Sequence, residues 1–216
     1  MQQGAAVSQE PQSRREVILQ AAEAIFADAG YDRARLEDVA LRVGIRRASL
    51  LYHFRDKAAL YEAVLDSLFE DLIARYRRVL AGDGPAGTRL ERTVDEWLDF
   101  VAARPAFVHI MLRELGNGVS ERSRPFAVRA MPVFTALGDV IAAGQAEHAL
   151  RQTNGLHVLM VLAGASSFLT LGGALVVTRA TERSLSIADR DEQRELLLAI
   201  FRKLLGTHGP RPVVED

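Results

Sequence analysis

The sequence predicts an all-α protein of about nine helices. Three observations carry that reading. Apolar residues recur at helical spacing through most of the chain, and no stretch alternates with the period a strand needs. Two short amphipathic segments flank Gly44, which is the outline of a helix-turn-helix. The run A-G-D-G-P-A-G at 81–87 is the clearest break in the pattern, a loop rather than a long linker.

Residues 1–12 read as a mobile arm, and they lack the basic start and apolar core of a secretory signal. Ser13 opens the first helix in a capping box with Glu16, each side chain bonding the other's backbone N–H. Ile18, Ala21, Ala22, Ile25, Phe26 and Ala29 form one apolar face, and Gly30 closes the helix. A second helix at 36–43 turns Leu36, Val39, Ala40 and Val43 inward, and Gly44 supplies the positive φ of a tight turn. A third helix begins near Arg47. Leu50 and Phe54, four apart, can pack inward, which leaves Arg46, Arg47, Ser49, Tyr52 and His53 facing out. Asp56 caps a fourth helix that runs through Leu60, Val64, Leu65, Leu68, Leu72 and Tyr76.

Beyond the break, Thr88 and Glu91 suggest a second capping box. Leu90, Val94, Trp97, Leu98 and Val101 line the buried face of that helix until Arg104-Pro105 ends it, and Pro105 opens a sixth helix that stops at Gly116. The seventh, 123–147, contains Pro132, so a kink or a break is expected there. An eighth, 154–178, is nearly all apolar and small. A ninth, 189–205, carries the stripe Leu196, Leu197, Ile200, Phe201, Leu204 and Leu205, with Gly206 as its terminator and a loose tail at 207–216.

Composition sets further bounds. Hydrophobic residues make up 49% and charged residues 25%, an ordinary globular balance. A net charge of −1 gives no global attraction to nucleic acid, so that case is local: Arg46, Arg47, Arg55 and Lys57 oppose only Asp56. The absence of cysteine removes disulfides, thiolate metal sites and cysteine nucleophiles, and fits the cytoplasm. No two of His53, His109, His148, His157 and His208 stand at metal-ligand spacing on one helix, and no nucleotide-binding or hydrolase motif occurs. No metal, cofactor or enzymatic activity is expected. Glu91, Asp95 and Asp99 read as a solvated face, with Arg92 and Glu96 as an ion pair beside them. The uncharged run 158–178 is long enough to span a membrane. Gly164, Ser166, Ser167, Gly172 and Gly173 dilute it, and no basic cluster orients it, so burial against a second subunit is the preferred reading and no membrane is expected.

The outward face of the third helix suits DNA, because arginine grips guanine or phosphate in bidentate fashion and hydroxyl and imidazole groups donate to phosphate oxygens. Three motifs sharpen this: A-x-x-I-F-A-D-A-G-Y at 22–31, L-E-D-V-A-x-R-V-G-I at 36–45, and S-L-L-Y-H-F-R-D-K-x-x-L at 49–60. Through them, residues 13–65 resemble the DNA-binding domain of TetR (tetracycline-repressor-like) bacterial regulators. The chain departs from that pattern where Ala34 and Arg35 replace the usual Ser or Thr before the second helix, and where Leu51 precedes Tyr52 in place of a second aromatic residue.

The resemblance implies a homodimeric, ligand-responsive repressor on double-stranded DNA, with a palindromic or near-palindromic operator and helix 47–54 in successive major grooves. It implies Arg46, Arg47, Ser49 and Tyr52 as groove contacts, and His53 and Lys57 as phosphate contacts. The domains would be an arm at 1–12, a helix-turn-helix domain at 13–60, a helical effector-binding and dimerisation domain at 61–206, and the tail. The last two long helices would form a four-helix bundle across the dimer two-fold. Trp97, Phe100, Val101, Phe107, Met111 and Phe134 are candidates for an apolar effector pocket, with His109, Arg113 and His148 as its polar contacts; alternatively, these residues only fill a helical core. An activator or dual regulator shares the same DNA chemistry, and a helical interaction or membrane-associated protein without DNA binding is the alternative of another class.

Overall fold

The computed structural model describes residues 13–118, 120–177 and 190–206, with side chains described outside 170–177. The expected arm and tail lie outside these residues, as do Thr178 and Asp189. All nine elements among the described residues are helices. The chain divides into two compact units, Met1–Leu65 and Asp66–Asp216.

In the first unit, α1 (Arg14–Arg33) opens with the expected capping box: the Glu16 N–H donates to Ser13 Oγ and the Ser13 N–H donates to Glu16 Oε2. Gly30, at φ 74°, breaks the helical dihedrals, so the regular part of α1 ends where glycine alone takes that conformation without strain. α2 (Leu36–Val43) ends on Gly44 at φ 72°, ψ 36°, and the next amide, Ile45 N–H, reaches back to Ala40 O at 2.9 Å. A Cβ at Gly44 would meet nothing within 4 Å, so backbone conformation rather than space demands glycine here. The N-cap of α2 is Arg35, and no side chain caps it. α3 (Arg47–His53) and the first two turns of α4 (Lys57–Leu80) complete the unit, and Asp56 Oδ1 accepts from the Ala59 N–H at 2.8 Å. Ile18, Ala22, Phe26, Val39, Leu50, Phe54, Leu60 and Tyr61 form its core. Phe26 meets Tyr61 edge-on at 4.8 Å between centroids, and Tyr31 meets Tyr61 at 5.1 Å.

In the second unit, α5 (Ala86–Ala103) packs on α6 (Ala106–Gly116), on α7 (Arg124–Ala146) and on α9 (Arg190–Leu205), while α8 (Gly155–Val177) packs on α7 and α9. The Thr88–Glu91 capping box is absent. α5 starts three residues earlier, on Pro85, without a side-chain cap, and Glu91 is taken by Arg202 at 3.0 and 2.8 Å. The carboxylates expected to face solvent instead form a ladder to α9: Glu91 to Arg202, Asp95 to Arg194, and Asp99 to Arg190 at 2.6 Å. Their order along α5 reverses along α9, so the two helices run antiparallel. The expected Arg92–Glu96 pair also fails to form, because Glu96 binds Arg75 and Arg78 of α4 and Arg92 donates to Asp83 O. α7 runs through Pro132 unbroken. By length and composition α7 could cross a membrane, yet Phe126, Ala130, Val133, Leu137 and Ile141 turn one face of it into the core. Near its end, Gly144 is pressed against Leu150 and Ala86.

Candidate functional site

The first candidate site is the outer face of α3. One helical residue, Leu50, anchors it, and Phe54 at its end packs beside Leu50 in the core. Arg46, Arg47 and Ser49 are exposed, and Tyr52 is 87% exposed, so the tyrosine is held by no packing against α1. Its ring meets that of the half-buried His53 at 5.5 Å. Arg47 Nε rests 2.9 Å from Glu37 Oε1, with both side chains more than half exposed. A pair so solvated is worth about 0–1 kcal/mol, so the guanidinium can leave it for a phosphate or a base edge at little cost. Lys57 is placed differently. Its ammonium donates to Asp32 O and Ala34 O, each at 3.1 Å, and lies 4.7 Å from the centre of the Tyr31 ring. It clasps the end of α1 to the start of α4, which leaves one of its three N–H groups for a phosphate.

The second candidate site is a cavity of about 390 Å³ within the second unit. Phe69, Leu72 and Tyr76 of α4, Trp97 of α5, Phe107 and Met111 of α6, Phe126 and Phe134 of α7, Leu159 and Met160 of α8, and Leu197 and Phe201 of α9 contribute to its wall. The volume lies in the range of small-molecule sites, and the wall is almost wholly apolar. Trp97 is fixed by its indole N–H, which donates to Ser166 Oγ at 2.6 Å. The Phe107 ring meets those of Phe69, Phe100 and Trp97 edge-on, at 5.4, 5.0 and 5.9 Å.

Of the residues the sequence suggested, Trp97, Phe107, Met111 and Phe134 line this cavity. Phe100 and Val101 do not; they are buried in the core behind it. His109, Arg113 and His148 do not line it either, and all three are exposed. Helical phase explains the first two. Phe107, Met111 and Leu115 face the cavity four residues apart, and His109 and Arg113 stand two residues out of step, about 200° around the helix. His148 sits in the turn after α7 with φ 56°. The sequence reading missed the α4 wall, although Phe69, Leu72 and Tyr76 keep helical spacing beside the core stripe of Leu65 and Leu68.

The fold and the exposed basic and aromatic helix define a helix-turn-helix protein joined to a helical domain with an apolar cavity. Residues 18–64 match the sequence profile of bacterial regulatory proteins of the tetR family. The HTH-type transcriptional activator FasR of Mycolicibacterium smegmatis is 34% identical over 88 residues, which are 41% of this chain and 40% of FasR, so the chain spans less than half of that relative. The structure of the ketosteroid transcriptional regulator KstR2 of Mycobacterium tuberculosis superposes with TM-score 0.67 at 20% identity, covering 93% of this chain and 99% of KstR2. FadR of Bacillus subtilis, solved in complex with stearoyl-CoA, superposes with TM-score 0.67 at 14% identity, covering 85% of this chain and 97% of FadR. The tetR-family match thus covers the helix-turn-helix segment, and the likeness to these regulators over the rest of the chain is one of fold.

Proposed function

We propose that the protein is a homodimeric, ligand-responsive transcriptional repressor that a small apolar or amphipathic molecule releases from its operator. The observation that carries this reading is α4. This one helix contributes Leu60, Val64 and Leu65 to the core of the first unit and Phe69, Leu72 and Tyr76 to the cavity wall of the second. A ligand shifts a conformational equilibrium only by binding one state better than another, and a molecule pressing on that wall has a covalent route to the DNA-reading unit.

In this reading residues 13–60 bind DNA and 61–206 bind effector and form the dimer. Arg46, Arg47, Ser49 and Tyr52 approach base edges, while His53 and the remaining donor of Lys57 meet phosphates. The apolar side chains that α8 and α9 leave exposed, Leu156, Val161, Phe168 and Leu196, suit a second copy of the chain, with the pair of helices from each subunit forming a four-helix bundle. A two-fold dimer calls for a palindromic or near-palindromic operator, and its place of action is the cytoplasm. The likeness to a FadR bound to stearoyl-CoA and to a ketosteroid regulator supports an effector with a large apolar part.

The test is a mobility-shift assay on DNA upstream of the protein's own gene, followed by addition of apolar compounds that raise its melting temperature. Specific retardation that such a compound abolishes is expected. Retardation on no upstream fragment, or retardation that no bound compound disturbs, would sink the reading. FasR is named an activator, so a reporter gene on the same promoter provides the further distinction: expression falls with a repressor and rises with an activator.

A further inference from the structure

We propose that the cavity selects uncharged ligands, held by one hydrogen bond from the Tyr76 hydroxyl to a ligand oxygen, and rejects carboxylates. The biological role of such a ligand rests on the regulator reading above; the selectivity rests on the wall itself. Among the described residues no Lys, Arg, His, Asp or Glu lines the cavity. The groups named earlier as polar contacts, His109, Arg113 and His148, are all elsewhere. An anionic group drawn into the depth of this space, beside Tyr76, would leave water and find no countercharge, which is the costliest form of burial.

Hydrogen-bonding capacity in the wall is nearly as scarce. Its polar side chains are Tyr76, Thr93 and Trp97. The Thr93 hydroxyl already donates to Leu90 O at 2.6 Å, and the Trp97 indole donates to Ser166. Tyr76 is 6% exposed, and among the described residues no side chain or backbone group bonds its hydroxyl. The residue lines the cavity and its hydroxyl has a donor to spend, so a ligand oxygen in the cavity could take that bond. Burial pushes the Tyr76 phenol well above its usual range, and the nearby Glu96 carboxylate adds to that shift, so the group remains a protonated donor at every physiological pH. Glu96 itself is occupied by Arg75 and Arg78 and lies outside the wall. A ketone, ester or alcohol oxygen at the end of an apolar body meets every one of these conditions.

Trp97 is the only tryptophan in the chain and lines the cavity, so its fluorescence reports occupancy directly. The experiment titrates the full-length protein, without DNA, with 1-decanol, decanoate and naphthalene at pH 7.5, below their aggregation limits. Decanol is expected to bind at least about tenfold more tightly than decanoate, because the buried carboxylate lacks a countercharge. In Tyr76→Phe, decanol should weaken by roughly three- to tenfold, the worth of one hydrogen bond, while naphthalene keeps its wild-type affinity. Decanoate binding as well as decanol, decanol failing to bind, or Tyr76→Phe leaving decanol unchanged would each overturn the proposal. The wild-type comparison of decanol with decanoate stands even if the variant folds poorly. Operator release is measured separately. Decanol that fills the cavity without releasing DNA defeats the regulatory reading and leaves the selectivity intact, whereas decanoate that binds better and releases DNA does the reverse.

Discussion

Tyr52 and Lys57 lie within six positions of each other, yet the structure gives them opposite dependence on folding, and paired alanine substitutions separate the two roles. Tyr52 is 87% exposed, and among the described residues its one ring contact is with its neighbour His53. Tyr52→Ala should therefore change stability by no more than about 0.5 kcal/mol, as for an ordinary surface site. Its loss should fall on the operator, where a base-edge or thymine-methyl contact is worth about 1–3 kcal/mol, or roughly 5- to 150-fold in affinity. Lys57 makes two bonds to backbone carbonyls at 3.1 Å and one contact with the Tyr31 ring at 4.7 Å. Charge-assisted bonds are worth about 1.5–3 kcal/mol each when well shielded, and the half-buried position of Lys57 lowers that sum to about 1–3 kcal/mol. Lys57→Ala should melt several degrees earlier, weaken operator and scrambled DNA alike, and lower the salt slope by about one unit. The assays are thermal melts of both variants and salt titrations on both DNAs. A Tyr52→Ala protein that keeps full operator discrimination, or a Lys57→Ala protein that melts like the parent, would refute the assignment of roles.

Two glycines of α7 should respond oppositely to alanine. At Gly144 a Cβ would lie 2.6 Å from Leu150 Cδ1 and 2.9 Å from the Ala86 Cβ, so Gly144→Ala should lower the melting temperature, overpacking of about 1–3 kcal/mol outweighing the gain in helix propensity. At Gly138 a Cβ meets nothing within 4 Å, and Gly138→Ala should stabilise by roughly 0.5–1 kcal/mol in the same melts. A double-mutant cycle on Glu91 and Arg202 should return a coupling of about 0.5–1 kcal/mol that shrinks in molar salt; no coupling would mean the ladder only decorates α5 and α9. Phe168 is 73% exposed on α8, so Phe168→Glu should leave the subunit folded but shift sedimentation from dimer to monomer at micromolar concentration.

What was legible in the sequence was local. The Ser13–Glu16 box, the break at Gly30, the positive φ at Gly44, the bounds of α2 and the inward phase of Leu50 and Phe54 all depend on residues within a few positions of each other. Thr88 and Glu91 offered the same local pattern, yet no box forms, because Glu91 has an arginine partner from a distant helix and Pro85 starts the turn earlier. The ladder partners of Asp95 and Asp99 were invisible for the same reason. The cavity was partly legible: aromatic residues between Trp97 and Phe134 pointed to it, but membership depends on which side of each helix faces inward. His109 and Arg113 were chosen for their polarity, and the phase of α6 turns both away from the wall.

Within α3 Leu50 is buried and Leu51 and His53 are half-buried, so the other four positions carry little duty toward the fold. Sequence change at Arg47, Ala48, Ser49 or Tyr52 is nearly neutral for stability while altering the chemistry offered to a DNA groove. Under the proposed function, a lineage could therefore drift from one operator to another through a series of folded intermediates, each testing a new set of base contacts. The same freedom is open to experiment: a library randomised at these positions should remain folded in most of its members, and selection on promoter variants would sample new specificities directly.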